Sequence, residues 1–528
     1  MKKIFTLMAA AVMALTVNAK DYTDALSVTL NMSGNETTFP AQQSTISVTE
    51  QTDGKYTLLL KNFSLAGSIN VGTIEIDDIE AAEINGVSLF SANETVTIKD
   101  GDDPNIEWDM KGVEVPIGMV GKIVGEKLYA IININLSDVM KVNVEFGSGY
   151  QLPNSGFEEF HKATYKNGNK EYSSDEPNGW HSFMSSTGSM ASVVSTTTKT
   201  FISEDTPESS LGTKSVKIIS SVVDLGFLKI PANGTLTTGQ MQAGGISATD
   251  PANCAFLDLS NEAVDGNGDP FYTILNGKPD ALTVWVKFKQ GQDLGENKYA
   301  SVNAVITDGT RYQDPEDPDE TYTNVVAKAQ NKTIESKDFT WQQLTIPFDY
   351  DTYASNNAEV KAILVTIGTN AQPGVGSKDA NNPDEIYVDD IALVYNAGLE
   401  SLNIKGSEVS LEDGKTAYEL DGLTGELTLD DITAVSDGRG AMVTKSVETT
   451  DGGALVTVKV TSNDLKTVNT WTVNVKGVST GIDKVETTTE NGVQAIYTID
   501  GRQVNTMDAK GIYIVRKADG TTVKVLKK

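Results

Sequence analysis

The chain has 528 residues, with 42 Lys or Arg against 72 Asp or Glu and a net charge of −30. That length holds several separate cores, and that charge argues against nucleic acid and anionic membrane surfaces while favouring divalent cations. A single cysteine, Cys254, excludes an internal disulfide framework, and two histidines, His161 and His181, count against His-rich zinc sites and against a Ser-His-Asp machine.

Met1-Lys2-Lys3 is a short basic region, Ile4 to Val17 is an apolar run of 14, and Val17-Asn18-Ala19 supplies small residues for a cleavage site. This is the pattern of a secretory signal peptide over residues 1–19. Export to the cell surface or beyond is expected, with the periplasm as the fallback location. No later stretch approaches 18 apolar residues, so no transmembrane helix is predicted.

From residue 20 onward, alternating Val, Ile, Thr and Tyr segments are broken by Gly, Asn-Gly and Asp-Gly turns, with almost no sustained 3.6-residue period. The expected fold class is all-β and multidomain. Residues 20–148 form the first unit, with segments such as LSVTLNM, STISVTEQ, KYTLLLKNF and KLYAIININL and a hairpin turn at Asp53-Gly54. Strands this dense suit a closed antiparallel barrel, which leaves no exposed edge. The run from DALSVTLNM to KLYAIININ resembles the calycin-like β-barrel domain of secreted Bacteroidetes proteins. Related barrels hold small apolar ligands, so the resemblance implies such a partner; the alternative is a barrel filled by its own side chains.

Residues 149–396 form the largest unit, with strands at TKSVKIISSVV, ALTVWVKFK, YASVNAVITDG, TWQQLTIPFDY, KAILVTIGT and EIYVDDIALVY. The acidic insert DPEDPDE (314–320) reads as a solvated loop. Asp265-Gly266-Asn267-Gly268-Asp269 has the start of a calcium loop, but Pro270 stands where glycine is needed and Asn276 where a bidentate glutamate is needed. An EF-hand is excluded there, and a looser cation site is left open.

The opening NSGFEEF and NGW, then GTKSVKI, KPDALTVWVKFK, FTWQQLTIPFDY and the closing IYVDDIALVY, resemble the carbohydrate metabolism domain family of Bacteroidetes. More broadly they resemble galactose-binding-like jelly-roll sandwiches. The resemblance implies that the first and last strands lie side by side and share a structural calcium ion. It carries the ligand roles over to Glu158 and Asp389, with Asn154 and Asp390 as further ligands. Strict alternation places Asp389 on a face with Tyr387, Ile391 and Leu393, where an unpaired carboxylate is costly. The alternative is that Asp389 caps neighbouring backbone or pairs with Lys214.

Period two also sets Leu282, Val284, Val286 and Phe288 on one face and Thr283, Trp285, Lys287 and Lys289 on the other; Trp341 lies with Gln343 and Thr345. A tryptophan on a polar face can stack on a sugar ring, with Lys287 and Gln343 as hydrogen-bonding partners. The expected ligand-binding residues are therefore Trp285, Trp341, Lys287 and Gln343, unless loops cover them. Trp180 is expected to pack under a loop, and His181 is equally compatible with surface and site.

Residues 397–477 carry about seven short strands and suit a small immunoglobulin-like sandwich, with Trp471 as a core anchor. Gly414-Lys415-Thr416 lacks the glycine a phosphate-binding loop needs at position 409, which is Val409. Residues 478–490 read as a linker rich in Thr and Glu. The final segment 491–528, through IYTIDGRQV, GIYIVR and KVLKK, resembles the C-terminal sorting domain of the type IX (Por) secretion system. That resemblance implies the type IX machinery as a partner.

The leading functional expectation is a secreted or surface protein that binds a polysaccharide or other glycan through the 149–396 domain. The alternatives are a carbohydrate-active enzyme (glycoside hydrolase or lyase) and a structural or adhesion protein. No residue is assigned to catalysis.

Overall fold

The computed structural model describes residues 19–51, 55–65, 67–84, 86–137, 139–224, 226, 228–480, 493–498, 503–504, 511–517 and 522–527. The predicted signal peptide up to Asn18, the Asp53-Gly54 turn and residues 481–490 of the linker lie outside the described residues. Two compact units divide the chain: Met1–Ala397 with Gly438–Met442 and Thr461–Thr467, and Gly398–Asp437 with Val443–Val460 and Val468–Lys528.

The first unit begins with a barrel of eight strands: β1 (Ala19–Met32), β2 (Asn35–Glu50), β3 (Tyr56–Leu65), β4 (Ile69–Ile84), β5 (Val87–Thr97), β6 (Glu114–Val124), β7 (Lys127–Ser137) and β8 (Met140–Phe146). Each strand pairs with the next, and β1 closes the barrel on β8 with Val28 opposite Val144. Ser33 and Gly34 turn β1 into β2 with both φ angles positive, 55° and 90°, the backbone twist that suits a two-residue hairpin. Leu26, Ile46, Ile79, Phe90, Met119 and Phe146 are each at most 2 % exposed. Side chains therefore fill the barrel at these levels.

Two five-stranded antiparallel sheets follow, facing one another. One runs Thr200–Ser203, Ser215–Ile219, Glu385–Val394, Ala281–Lys289, Gln342–Pro347; here it is called the first sheet. The other runs Thr235–Thr237, Ala362–Gly368, Ala300–Thr307, Val325–Ile334, with Thr273–Ile274 also paired to Ala362–Gly368; it is the second sheet. Their shared core holds Leu282, Val284, Val286, Ile386 and Val388 from the first and Val302, Ala304, Ile306, Val365 and Ile367 from the second. Barrel residues Leu89, Tyr129 and Ile131 join that core. The Tyr129 ring stacks on Tyr150 at 4.0 Å, and Lys122 Nζ lies 4.3 Å over the Tyr150 ring while donating to the Asn463 carbonyl. Burial pushes the Lys122 amine down to about 7.

In the second unit, a sheet of Ser407–Glu408, Leu399–Ile404 and Ile432–Ser436 accompanies one of Ala417–Leu420, Val468–Lys476, Gly453–Thr461 and Met442–Thr450. Leu402, Ile404, Ile432, Val456, Val458 and Val473 form its core, and Trp471 packs against that core half-buried. Farther along, Gln503–Val504, Val493–Thr498, Gly511–Lys517 and Thr522–Lys527 make a four-stranded sheet. Among the described residues, no helix is long and apolar enough to cross a membrane.

Candidate functional site

The first sheet sets Trp285, Lys287 and Lys289 on its outer face, as period two requires, while Leu282, Val284, Val286 and Phe288 are fully buried behind them. Trp285 stands opposite Gln343, and both Trp285 and Trp341 are half-buried, with Gln343 exposed. A loop residue, Asp205, reaches this face. Its Oδ1 accepts from Trp341 Nε1 at 2.9 Å, and its Oδ2 accepts from Lys287 Nζ. Burial works against the Asp205 charge, but the hydrogen bonds from Lys287 and Trp341 outweigh it and hold the carboxyl below its ordinary value. Lys287 Nζ also lies 4.4 Å over the Phe339 ring and 5.1 Å over the Tyr387 ring. Three polar groups on this face, Asp205, Lys287 and Trp341, already serve one another.

The two acidic segments do meet. Ile391 N donates to the Ser155 carbonyl at 2.9 Å, and Gln151 exchanges hydrogen bonds with Leu393. Strict alternation fails at this point, which corrects the expected face of Asp389. Asp390 adopts φ 44°, and the ladder to Ala281–Lys289 skips between Thr283 and Trp285. A bulge re-phases a strand by one residue. Asp389 therefore stands opposite Trp285, on the same face as Tyr387 opposite Lys287, while Ile391 and Leu393 turn into the core. Asp389 is nevertheless fully buried, and burial pushes its carboxyl up to about 7, helped by the Asp390 charge. Its Oδ1 accepts from Asp390 N at 2.8 Å.

The other two residues build a turn. Asn154 Oδ1 accepts from Glu158 N at 3.1 Å and Glu159 N at 3.2 Å. Glu158 Oε1 accepts from Thr213 N and Lys214 N, both at 2.8 Å, and Oε2 accepts from the Thr213 hydroxyl at 3.1 Å. Lys214 Nζ goes to the Glu158 carbonyl rather than to Asp389.

The outer face of the second sheet is different. In Ala300–Thr307, Val302, Ala304 and Ile306 enter the sandwich, so Ser301 and Asn303 face the other way. Asn303 stands opposite Thr366 and Ser301 opposite Gly368. These residues floor a cavity of about 310 Å³. A three-stranded sheet (Gln240–Ala243, Asn253–Leu257, Tyr312–Asp314), the short helix Ala191–Val194 and the hairpin strands Ser221–Asp224 and Lys229–Ala232 contribute its walls. Those walls are largely apolar, with Met190, Val193, Ile230, Pro231, Ile246 and Pro373. Asn303 Nδ2 donates to Asp314 Oδ2 at 3.1 Å, while Asn303 Oδ1 and Asn233 Oδ1 are buried without a partner. Burial raises the Asp314 carboxyl, against the pull of the Lys332 charge and the Asn303 hydrogen bond.

Asp314 was expected in a solvated loop. It ends a buried strand instead, and only the rest of that insert, from Pro315 onward, meets solvent. Cys254 is buried in the same wall, and burial pushes its thiol up to about 11.

Both histidines are drawn to one place. His161 and Glu176 stand opposite each other in the hairpin Phe160–Asn167 and Lys170–Pro177, and His181 and Asp265 reach them from loops. Two overlapping groups could hold a metal ion: His161, Asp265 and Asp269, and Glu176, His181 and Asp265, with the candidate ligand atoms of each within 4.8 Å of one another. The scarcity of histidine pointed away from such a site. The fold nevertheless brings both histidines together beside Asp265, and His181 is fully buried. Trp180 beside it is fully buried against Phe157, with Nε1 on the Pro153 carbonyl at 2.8 Å.

Residues 19–148 match the family model described as Calycin-like beta-barrel domain, and the closed eight-stranded barrel is that domain. No curated protein matches the chain.

Proposed function

We propose that this is an exported protein that binds a glycan through its central sandwich, with one sugar unit seated in the cavity on the outer face of the second sheet. The observation that carries the reading is the pair of buried, unpartnered amide oxygens, Asn303 Oδ1 and Asn233 Oδ1, on the floor of an otherwise apolar-walled cavity. Leaving such groups unpaired costs about 1–3 kcal/mol each. A polyhydroxylated ligand supplies the missing donors and presents its C–H faces to the walls. The Trp285, Trp341, Lys287 and Gln343 face is the weaker platform, because Asp205 already occupies two of its four groups.

The second reading, a carbohydrate-active enzyme, rests on Asp314, a buried carboxyl raised toward an acid's role. Hydrolysis by paired carboxylates needs two, and Asp314 is the only carboxylate among the described residues lining the cavity. This favours binding. An array of plant, host and microbial glycans tests it: retention by the wild type and its loss in Asn303→Ala supports the reading. Retention of none, or release of reducing ends, overturns it.

Four further parts belong to this proposal. The galactose-binding-like jelly roll and immunoglobulin-like sandwich are the readings we give the two sets of sheets. A calcium ion where the two acidic segments meet would use Glu158 and Asp389, with Asn154 and Asp390 as further ligands. Calcium that leaves the melting temperature unchanged in both wild type and Asp389→Ala removes that ion from the account. The tail 491–528 is taken as a type IX sorting signal delivering the protein to the cell surface or beyond. A small apolar ligand remains the natural partner class for a calycin-like barrel, though here Phe90, Met119 and Phe146 already fill interior space.

A further inference from the structure

The ring nitrogens that point away from the histidine cluster decide what the cluster can hold. His181 Nε2 lies 3.2 Å from the Pro270 carbonyl, which can only accept, so Nε2 carries the proton. His161 Nδ1 lies 3.1 Å from Asn178 Oδ1. Asn178 Nδ2 donates to Glu159 Oε2 at 3.4 Å, which keeps the amide oxygen toward the ring and puts the proton on Nδ1. In the neutral rings, both remaining nitrogens are lone pairs, and both face inward. Hydrogen-bonding the outer nitrogen to a carbonyl or amide oxygen is how proteins orient an imidazole as a metal ligand.

What those lone pairs meet is another acceptor. Asp265 Oδ2 lies 3.1 Å from His161 Nε2 and 3.7 Å from His181 Nδ1. None of these three buried atoms makes a hydrogen bond. Glu176 Oε2 stands 3.9 Å from His161 Nε2. Asp265 Oδ1 is already used, accepting from Asn267 N and Asp269 N at 2.8 Å each, so its loop aims Oδ2 at the rings. A proton on His161 would satisfy one contact and leave His181 Nδ1 facing a carboxylate with nothing between. One shared cation satisfies all of them.

We propose that His161 Nε2, His181 Nδ1, Asp265 Oδ2 and Glu176 Oε2 form a structural site for a divalent transition metal of the zinc class. Ligands about 2.0–2.2 Å from a tetrahedral zinc stand about 3.3–3.5 Å from one another. Asp265 Oδ2 lies 3.1 Å from His161 Nε2 and 3.7 Å from His181 Nδ1, Glu176 Oε2 lies 3.9 Å from His161 Nε2, and the ligand atoms of Glu176, His181 and Asp265 fall within 4.8 Å of one another, so binding draws the set inward by a few tenths of an ångström to about 1 Å. Two imidazoles with two carboxylates suit zinc far better than calcium, which takes six to eight oxygens. The side chains of Glu176 and His181 are fully buried, Asp265 is 1 % and His161 10 % exposed. Four protein ligands and no opening make it a structural site. The ion ties the two-stranded hairpin, the 178–182 segment and the 265–269 loop together in a domain that has no disulfide.

The test is metal analysis of the full chain, stripped with a chelator and reloaded with zinc or cobalt(II). The expected result is one tightly held equivalent per chain, a higher melting temperature on reloading, and the intense visible bands of four-coordinate cobalt. His181→Ala loses the equivalent. His161→Gln, at the less buried ligand, binds at least tenfold more weakly while keeping the fold, and Asn178→Ala weakens binding about 10–100-fold as an outer-shell change does. An equivalent that survives in both histidine variants overturns the proposal. So does a folded wild type that takes up no zinc or cobalt, or a six-coordinate cobalt spectrum.

Discussion

The two outer faces of the central sandwich look alike in sequence and unlike in structure. On the first sheet, Lys287, Trp341 and Asp205 satisfy one another, and Lys287 is capped by Phe339 and Tyr387. On the second, Asn303 and Asn233 present unpartnered oxygens to a cavity walled by apolar side chains. The lesson is that an aromatic ring on a polar face does not by itself make a site. Unspent hydrogen-bonding groups held in a shaped space are the stronger signal, because burying them without a partner is costly.

The sharpest way to probe the unspent side is Lys199, fully buried beside the cavity wall residue Phe183, with its ammonium 4.3 Å over that ring and without a hydrogen-bond partner. Burial pushes its amine down from 10.5 to about 7. Between those values the unfolded chain holds a proton that the folded chain does not, so stability rises with pH across that window and is lowest below it. Lys199→Met should stabilise the protein by a few kcal/mol near pH 6, since each tenfold loss of proton affinity corresponds to about 1.4 kcal/mol. The gain should shrink toward nothing near pH 10 in denaturant titrations; a pH-independent gain would mean the lysine is not held neutral.

A smaller effect is expected at the cavity wall. Asp314→Asn should lower glycan affinity about 10- to 100-fold, the value of a hydrogen bond to a charged or polarised group, with the melting temperature little changed. On the satisfied face, Asp205→Ala should cost about 1 kcal/mol of stability by releasing Lys287 and Trp341 and leave glycan binding intact. If Asp205→Ala instead creates or strengthens glycan binding, the first face is a covered site and the comparison fails. The smallest effect is Gln343→Ala, exposed at a sheet edge, which should change stability by less than about 0.5 kcal/mol.

Much of this fold was legible. Period two put Leu282, Val284, Val286 and Phe288 in the core, and strand density over 20–148 pointed to a closed barrel. The Asp389 face was not legible, because a bulge shows itself only in the backbone: Asp390 takes a positive φ that aspartate tolerates without announcing. Asn303 and Asp314 were missed for another reason. Ser301 and Asn303 alternate against Val302 and Ala304, but alternation cannot say that a third sheet covers their face. The histidine cluster needs residues 161, 176, 181 and 265 at once; only the aspartate-rich 265–269 loop hinted at it.

The most direct measurement is calorimetric titration of an array-positive glycan into wild type, Asn303→Ala and Trp285→Ala side by side. The account predicts that Asn303→Ala loses at least tenfold in affinity while Trp285→Ala binds as the wild type does. Loss of binding in Trp285→Ala with Asn303→Ala unaffected would place the glycan on the first sheet and contradict it.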